Sequence, residues 1–386
     1  IDPRPENLEK VPLFADSGHM FFDQVVMSGV VPQVAAMVGP GNAGTAYIPG
    51  LADFVPMVKG TSSMALAGPA LVKAAVGEDI SEQDLGGSKI HNRESGCADL
   101  EVKTDAECIE AVRNYLSFFP SCSRHKPPRR EADEVARKLG DDILDILPED
   151  TRKSYDMRAL AQEIVDGGEL FELKPKFARS MVTGLARIAG NSVGIVANNP
   201  KYLGGVIDSN AAYKAARFIS LCDAFNIPLI FLVDVPGFMV GASAEKSGII
   251  RHGSQMLHAM AGATVPKLTV IVRKAYGAGY YAMCGRAYEP DMIVAWPTAE
   301  ISVMGPEGMV GIAAGKLLAS SPDPDKVRAQ MVEMIRPYID LYEVARLGLV
   351  DEVIDPRETR WVLAQGLEMT RDKVVERPWR RHDVIP

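Results

Sequence analysis

Cysteine is scarce in this 386-residue chain: five copies, an odd number, with no CxxC spacing. That excludes a disulfide framework and a zinc ribbon and suits a reducing compartment: the cytoplasm, or the mitochondrial matrix in a eukaryote. Basic charge is not in excess either. The 42 lysines and arginines face 50 acidic residues for a formal charge of −8, which leaves no general nucleic-acid footprint. Long hydrophobic runs are missing. The best, residues 227–239, is broken by Pro228, Asp234 and Pro236, short of the roughly 18 apolar residues of a membrane span. His19, His91, His125, His252, His258 and His382 show no HxxxH pairing and no cysteine companions, so no metal centre is expected. Neither a Walker A sequence nor a GxSxG elbow occurs, which removes P-loop chemistry and the α/β-hydrolase serine. Residues 1–10 are neither a basic n-region nor an apolar h-region, and with Ile1 at the start the chain reads as a processed product or a piece of a larger protein.

What is present is globular material, 47% hydrophobic and 24% charged, enough for two or three domains of about 150 residues. Many of the 34 glycines sit where short apolar runs end. Residues 30–38 (VVPQVAAMV) lead into Gly39-Pro-Gly-Asn-Ala-Gly44, residues 229–233 (LIFLV) into Asp234-Val-Pro-Gly237, and residues 268–272 (LTVIV) into a turn ending Gly277-Ala-Gly279. Aliphatic runs with glycine-rich ends predict buried strands of an α/β protein. Helical patterns at residues 211–225 and 248–261 predict βα crossovers between them. Residues 121–134 carry two prolines and five basic side chains, His125 included, and read as a connector.

An internal repeat carries more information than any single run. Residues 32–38 (PQVAAMV) align with residues 266–272 (PKLTVIV). Each copy passes through a Gly/Ala turn with a tyrosine, then an aspartate (Asp53 or Asp291), then an apolar stretch to a Gly-Pro pair (Gly68-Pro69 or Gly305-Pro306). This order predicts two domains of one fold.

Small residues after a strand let backbone N–H groups approach a ligand, and two such donors aimed at one oxygen form an oxyanion hole. The turns at Asn42-Ala-Gly-Thr45, Asp234-Val-Pro-Gly-Phe-Met239 and Tyr276-Gly-Ala-Gly-Tyr280 all suit that geometry. No carboxylate stands in a motif that demands a general acid or base, and nothing near Cys284 marks it as a nucleophile. His252 and His258, six apart, fall on different faces of a helix. This inventory fits enolate stabilisation with the base supplied from elsewhere.

These residues carry a resemblance to a known family. The stretches YDMR (155–158), IVDGGELFEL (164–173), GNSVGIVA (190–197), GVIDSNAA (205–212), DVPGF (234–238), GAGYYAMCGRAY (277–288), ISVMG (301–305) and GLVDEVIDPR (348–357), with SGVVPQ (28–33) and LGGSK (85–89), resemble the carboxyltransferase (beta) subunit of biotin-dependent acyl-CoA carboxylases, in the crotonase superfamily. The likeness covers nearly the whole chain. It implies an α/β fold of two crotonase-like β-β-α superhelix domains, residues 1–130 on the acyl-CoA side and 131–386 on the biotin side. The family's first domain is longer, so a truncated first domain is expected here.

The resemblance further implies that the carboxyl group of carboxybiotin, carried on a separate domain or subunit, passes to an acyl-CoA, biotin's ureido nitrogen serving as base. By position, Gly237 and Phe238 with Ala278 and Gly279 correspond to the hole for the biotin ureido oxygen. Ala43 and Gly44 correspond to donors for the thioester enolate. Asn42, Thr45, Tyr280 and Tyr281 are the expected substrate-side residues. Tyr281 stands where short-chain carboxylases commonly carry aspartate. A biotin carboxylase or carrier partner and a homo-oligomer, a hexamer built from dimers, are implied as well. Two rival readings stay open: the alpha subunit of a biotin-dependent acyl-CoA decarboxylase, and a non-catalytic scaffold that docks a biotin carrier.

Overall fold

Apolar runs bounded by glycine become short parallel pairs in the first part of the chain and one large sheet in the second. The computed structural model describes residues 9, 12–13, 15, 18–132, 134–150, 153–381 and 383–386; His382 and most of residues 1–10 lie outside the described residues. Two units emerge, residues 1–126 and 127–386. The first contains four short strands, β1 (Pro40–Asn42), β2 (Pro56–Val58), β3 (Ser63–Ala65) and β4 (Leu100–Val102), which pair in parallel as β1 with β3 and β2 with β4. The buried strand expected at residues 30–38 does not form. Only Val34 and Met37 make isolated bridges, to Phe54 and Met57. Pro32 offers no donor to a ladder, and Val30 and Val38 are exposed. Val55, Met57, Met64 and Ala98 form this unit's apolar cluster, and Phe54 stacks on Tyr115 at 4.4 Å between ring centroids.

Among the described residues, the second unit holds eight strands: β5 (Phe171–Leu173), β6 (Met181–Ile188), β7 (Asn191–Asn198), β8 (Leu229–Val235), β9 (Lys267–Tyr276), β10 (Met292–Ala295), β11 (Glu300–Ser302) and β12 (Glu352–Val353). Their order is β12-β10-β9-β8-β7-β6-β5, with β11 also pairing to β9. The β5–β6 and β6–β7 pairs are antiparallel; from β7 to β12 the neighbours are parallel. All seven residues of β8 are buried, which is why its sequence is a continuous rather than an alternating apolar run. The helices Ser209–Ala224 and Ile249–Gly262 match the expected crossovers. A separate apolar cluster, Val310, Ala314, Leu318 and Val332, belongs to the helices Pro306–Ala313, Gly315–Ser320 and Pro324–Ile335.

The two copies of the repeat make the same contacts, each inside its own unit. The Asp53 carboxylate accepts the Gln33 N–H at 2.8 Å while the Asp53 N–H donates to the Gln33 carbonyl. Asp291 does both to Lys267. Asp99 grips the N–H and carbonyl of Val55, and Asp351 those of Ile293. Gly68-Pro69 and Gly305-Pro306 each start a helix with proline in its first turn. Each carboxylate satisfies a backbone N–H where an extended stretch begins. Replacing the buried Asp99 with alanine leaves the Val55 N–H unpaired, an expected loss of about 1–3 kcal/mol. Denaturant unfolding should show a smaller loss for Asp351→Ala, whose side chain is 39% exposed.

Candidate active site

Strands β8 and β9 run in register from Leu229↔Lys267 to Val233↔Ile271, then slip: Val235 faces Ala275. The irregularity re-aims β9 at its carboxyl end, and a side chain on β8 fills it. The Asp234 carboxylate accepts from Arg273 Nε at 2.9 Å, Tyr155 Oη at 3.0 Å and the Lys274 N–H at 3.2 Å. Arg273 also donates to the Lys153 carbonyl at 3.0 Å and lies over the Tyr155 ring, 5.0 Å from its centroid. The pair is almost wholly dry, with side chains 5% and 0% exposed. Burial pushes the Asp234 carboxyl upward, and the Arg273 guanidinium and Lys274 N–H pull it back. Three donors converge on an acceptor-only group, so it works here as a carboxylate. Tyr155 is pushed well up by burial and by Asp234, and stays a donor.

This cluster fixes the ends of the two strands, and the expected turns continue from them. Gly237 has φ +135° and Gly277 φ +57°, both in the left-handed region. A Cβ at Gly279 would lie 2.8 Å from Val235 and 3.0 Å from the Gly237 Cα. The structure therefore brings Gly237 against Gly279, and only glycine at 279 permits that approach. The glycine turn is helical, Gly277–Ala282. The N–H groups of Phe238 and Ala278 meet no acceptor among the described residues, the latter because it lies in the first turn of its helix. The Phe238 ring rests on the helix Ile249–Gly262, where a Cβ at Gly253 would sit 3.2 Å from it.

In the first unit, Ala43 takes the conformation of Gly277, φ +58° against +57°. A left-handed alanine costs about 1–2 kcal/mol, so the turn is held against its own preference. Gly44 follows, Thr45 Oγ1 closes the turn on the Asn42 carbonyl at 2.6 Å, and Asn42 Nδ2 donates to Glu82 at 3.3 Å. Asn42 Oδ1 is buried without a partner. The two tyrosines divide. Tyr280 supports the turn: Gly285 packs on its ring and the Arg286 N–H donates to its hydroxyl at 2.9 Å. Tyr281 is 46% exposed, with the Tyr280 and Tyr288 rings at 5.9 and 6.3 Å.

Cys284 is buried, and burial pushes its thiol up to about 11, the wrong direction for a nucleophile. His252 meets Gln255 at 3.0 Å and His258 lies 3.5 Å from Asp383. Two histidines do have a cysteine beside them: Cys122 Sγ is 3.4 Å from His125 Nδ1, and His91 hydrogen-bonds to Cys97. Among the described residues no three metal-ligating side chains gather, and no helix is long and apolar enough to cross a membrane. The sequence reading placed Asp234 in a glycine-rich turn and did not foresee its meeting with Arg273 and Tyr155. The available signal was a charge of each sign at the end of two otherwise apolar runs.

The chain belongs to the carboxyl transferase domain family, whose model matches residues 6–385. It is 40% identical over 98% of its length to the methylmalonyl-CoA decarboxylase subunit alpha of Propionigenium modestum, covering 73% of that protein. It is also 40% identical over 99% of its length to the mitochondrial propionyl-CoA carboxylase beta chain of Homo sapiens, covering 69%. Its fold superposes on a transcarboxylase 12S crystal structure, described as a hexamer assembly with methylmalonyl-coenzyme A bound. The TM-score is 0.91 at 42% identity, over 97% of this chain and 72% of that one. The fold is thus the mixed α/β, crotonase-like one of carboxyltransferases. More particularly, the chain is a carboxyltransferase of the biotin-dependent acyl-CoA carboxylase kind.

Replacing Arg273 with methionine strips Asp234 of its ion-pair partner in a dry site, an expected loss of about 3–5 kcal/mol. Unfolding curves of Arg273→Met and the Asp234→Asn/Arg273→Met pair check this, the double variant recovering part of the loss.

Proposed function

We propose that this chain moves a carboxyl group between biotin on a carrier and the α- or vinylogous carbon of an acyl-CoA, using backbone N–H groups of two turns as oxyanion holes. The observation that carries the reading is the Gly237–Gly279 contact in the second unit. It joins the two turns that carry the N–H groups of Phe238 and Ala278, which meet no acceptor among the described residues. The cradle fits biotin, whose ureido oxygen needs two donors and close backbone approach. When bound, carboxybiotin supplies the carboxyl group and the base. Phe238 and Ala278 would hold the ureido oxygen as it gains charge, while Ala43 and Gly44 hold the thioester oxygen of the enolate. Each well-placed donor contributes about 2.7–4 kcal/mol to such a transition state.

In this reading residues 1–130 form the acyl-CoA side and residues 131–386 the biotin side, the two being copies of one fold, as their matching aspartate contacts support. The partners are a biotin carboxylase or carrier subunit and further copies of this chain, in a hexamer like that of the 12S neighbour. The same groups serve the reverse transfer, and the decarboxylase relative at 40% identity keeps that direction open as a second reading.

Ala278→Pro removes one donor and fixes φ; carboxyl transfer with the biotin partner present should fall about a hundred-fold or more. His252→Ala and His258→Ala should stay near wild type. If a histidine variant were dead and Ala278→Pro active, the backbone mechanism would be wrong. Tyr281, exposed beside the turn, offers a substrate-facing wall of apolar surface and one hydroxyl. Tyr281→Asp should shift kcat/KM away from 3-methylcrotonyl-CoA relative to propionyl-CoA, because a carboxylate gains nothing from an apolar tail. An unchanged ratio in a folded variant would remove Tyr281 from the pocket.

A further inference from the structure

Tyr276 and Asn42 hold the same place in their units. Each is the last residue of a strand, extended at φ −112° and −109°, immediately before the left-handed residue of a turn. Both touch the glycine that begins a proline-led helix. A Cβ at Gly305 would lie 3.3 Å from the Tyr276 ring, and one at Gly68 would lie 3.6 Å from Asn42 Nδ2. And each ends on a carboxylate, Tyr276 Oη donating to Glu300 and Asn42 Nδ2 to Glu82.

The two acids come from different places. Glu300 lies on β11 opposite Lys274 of β9. The matching strand position in the first unit is Ser63, opposite Pro40. Its hydroxyl donates at 2.9 Å to Glu82, which starts another helix. A tyrosine and an asparagine, unlike in length and chemistry, thus reach the same kind of anchor by separate routes. Inheritance of one residue pair does not produce that; a shared demand on the following turn does.

We infer that Glu300, through Tyr276, and Glu82, through Asn42, are positioning residues that hold the Ala278 and Gly44 N–H groups at their working angle. The inference rests on the two-hole reading above. Neither acid touches substrate; each fixes the residue from which its turn departs. Tyr276 is 5% exposed, and burial followed by the Glu300 hydrogen bond pushes its hydroxyl upward, so the donor proton stays in place. The second Glu300 oxygen takes Arg336 at 3.5 Å, which leaves the acid itself anchored.

Tyr276→Phe keeps the ring against Gly305 and deletes only the donor. With the biotin partner present, kcat for carboxyl transfer should fall about ten-fold or more, as small misplacements of catalytic groups do. KM for acyl-CoA should move less than about two-fold. Glu300→Ala should match it, Glu300→Gln, which still accepts, should recover most of the rate, and Tyr276→Phe/Glu300→Ala should be no worse than either single change. Amide exchange over residues 277–282 should quicken in Tyr276→Phe at unchanged global stability. Wild-type kcat in Tyr276→Phe alongside an inactive Ala278→Pro would overturn the tether and leave the hole standing. Full activity of Ala278→Pro would remove both. A rate loss that merely tracks the folded fraction would also overturn the tether.

Discussion

A carboxylate and a guanidinium taken out of water together must find every partner inside the protein, or the strands that carry them separate. Asp234 and Arg273 meet that demand where β8 and β9 end, with Tyr155, the Lys153 carbonyl and the Lys274 N–H completing the set. Because the charges sit inside a register slip, their geometry fixes how far β9 advances past β8. That advance in turn decides whether Gly279 reaches Gly237. Removing water from such a pair costs several kcal/mol per ion. Its return here is geometric: the turns of Gly237 and Gly279 are held in contact.

Elsewhere the molecule meets a related problem, a backbone N–H to be satisfied where an extended stretch begins, with one device at four places. Asp53, Asp99, Asp291 and Asp351 each accept an N–H from one residue and donate their own N–H to its carbonyl. A carboxylate does this more strongly than a neutral acceptor, so each extended stretch is fixed where it begins. The aspartates read in the repeat as spacing markers are thus the fasteners of the fold.

Glycine and proline act locally, which is why the turns at Gly237, Gly277 and Ala43 and the repeat itself were legible in the sequence. Burial on both faces made β8 and β9 legible for a similar reason: no partner needs to be known to read LIFLV as interior. The Asp234 cluster was not legible, because Tyr155 lies 79 residues from Asp234 in sequence and nothing local announces a register slip. Residues 30–38 misled in the opposite way. Their composition matches a buried strand, yet Pro32 and a half-open face leave two bridges only. Adjacent tyrosines look alike in a sequence, and which of Tyr280 and Tyr281 turns inward depends on the helical phase of Gly277–Ala282.

The helices between residues 306 and 335 have an apolar cluster of their own, centred on Val310, Leu318 and Val332. A segment with a private core opens and closes as a cooperative unit, at a free energy below that of the whole. The Arg336–Glu300 contact ties that segment to the strand beside the glycine turn. Excursions of the segment therefore relax one anchor of the turn while the large sheet stays intact. The stability of this small foldon thereby bears on the fraction of time the turn is fully ordered, quite apart from global unfolding.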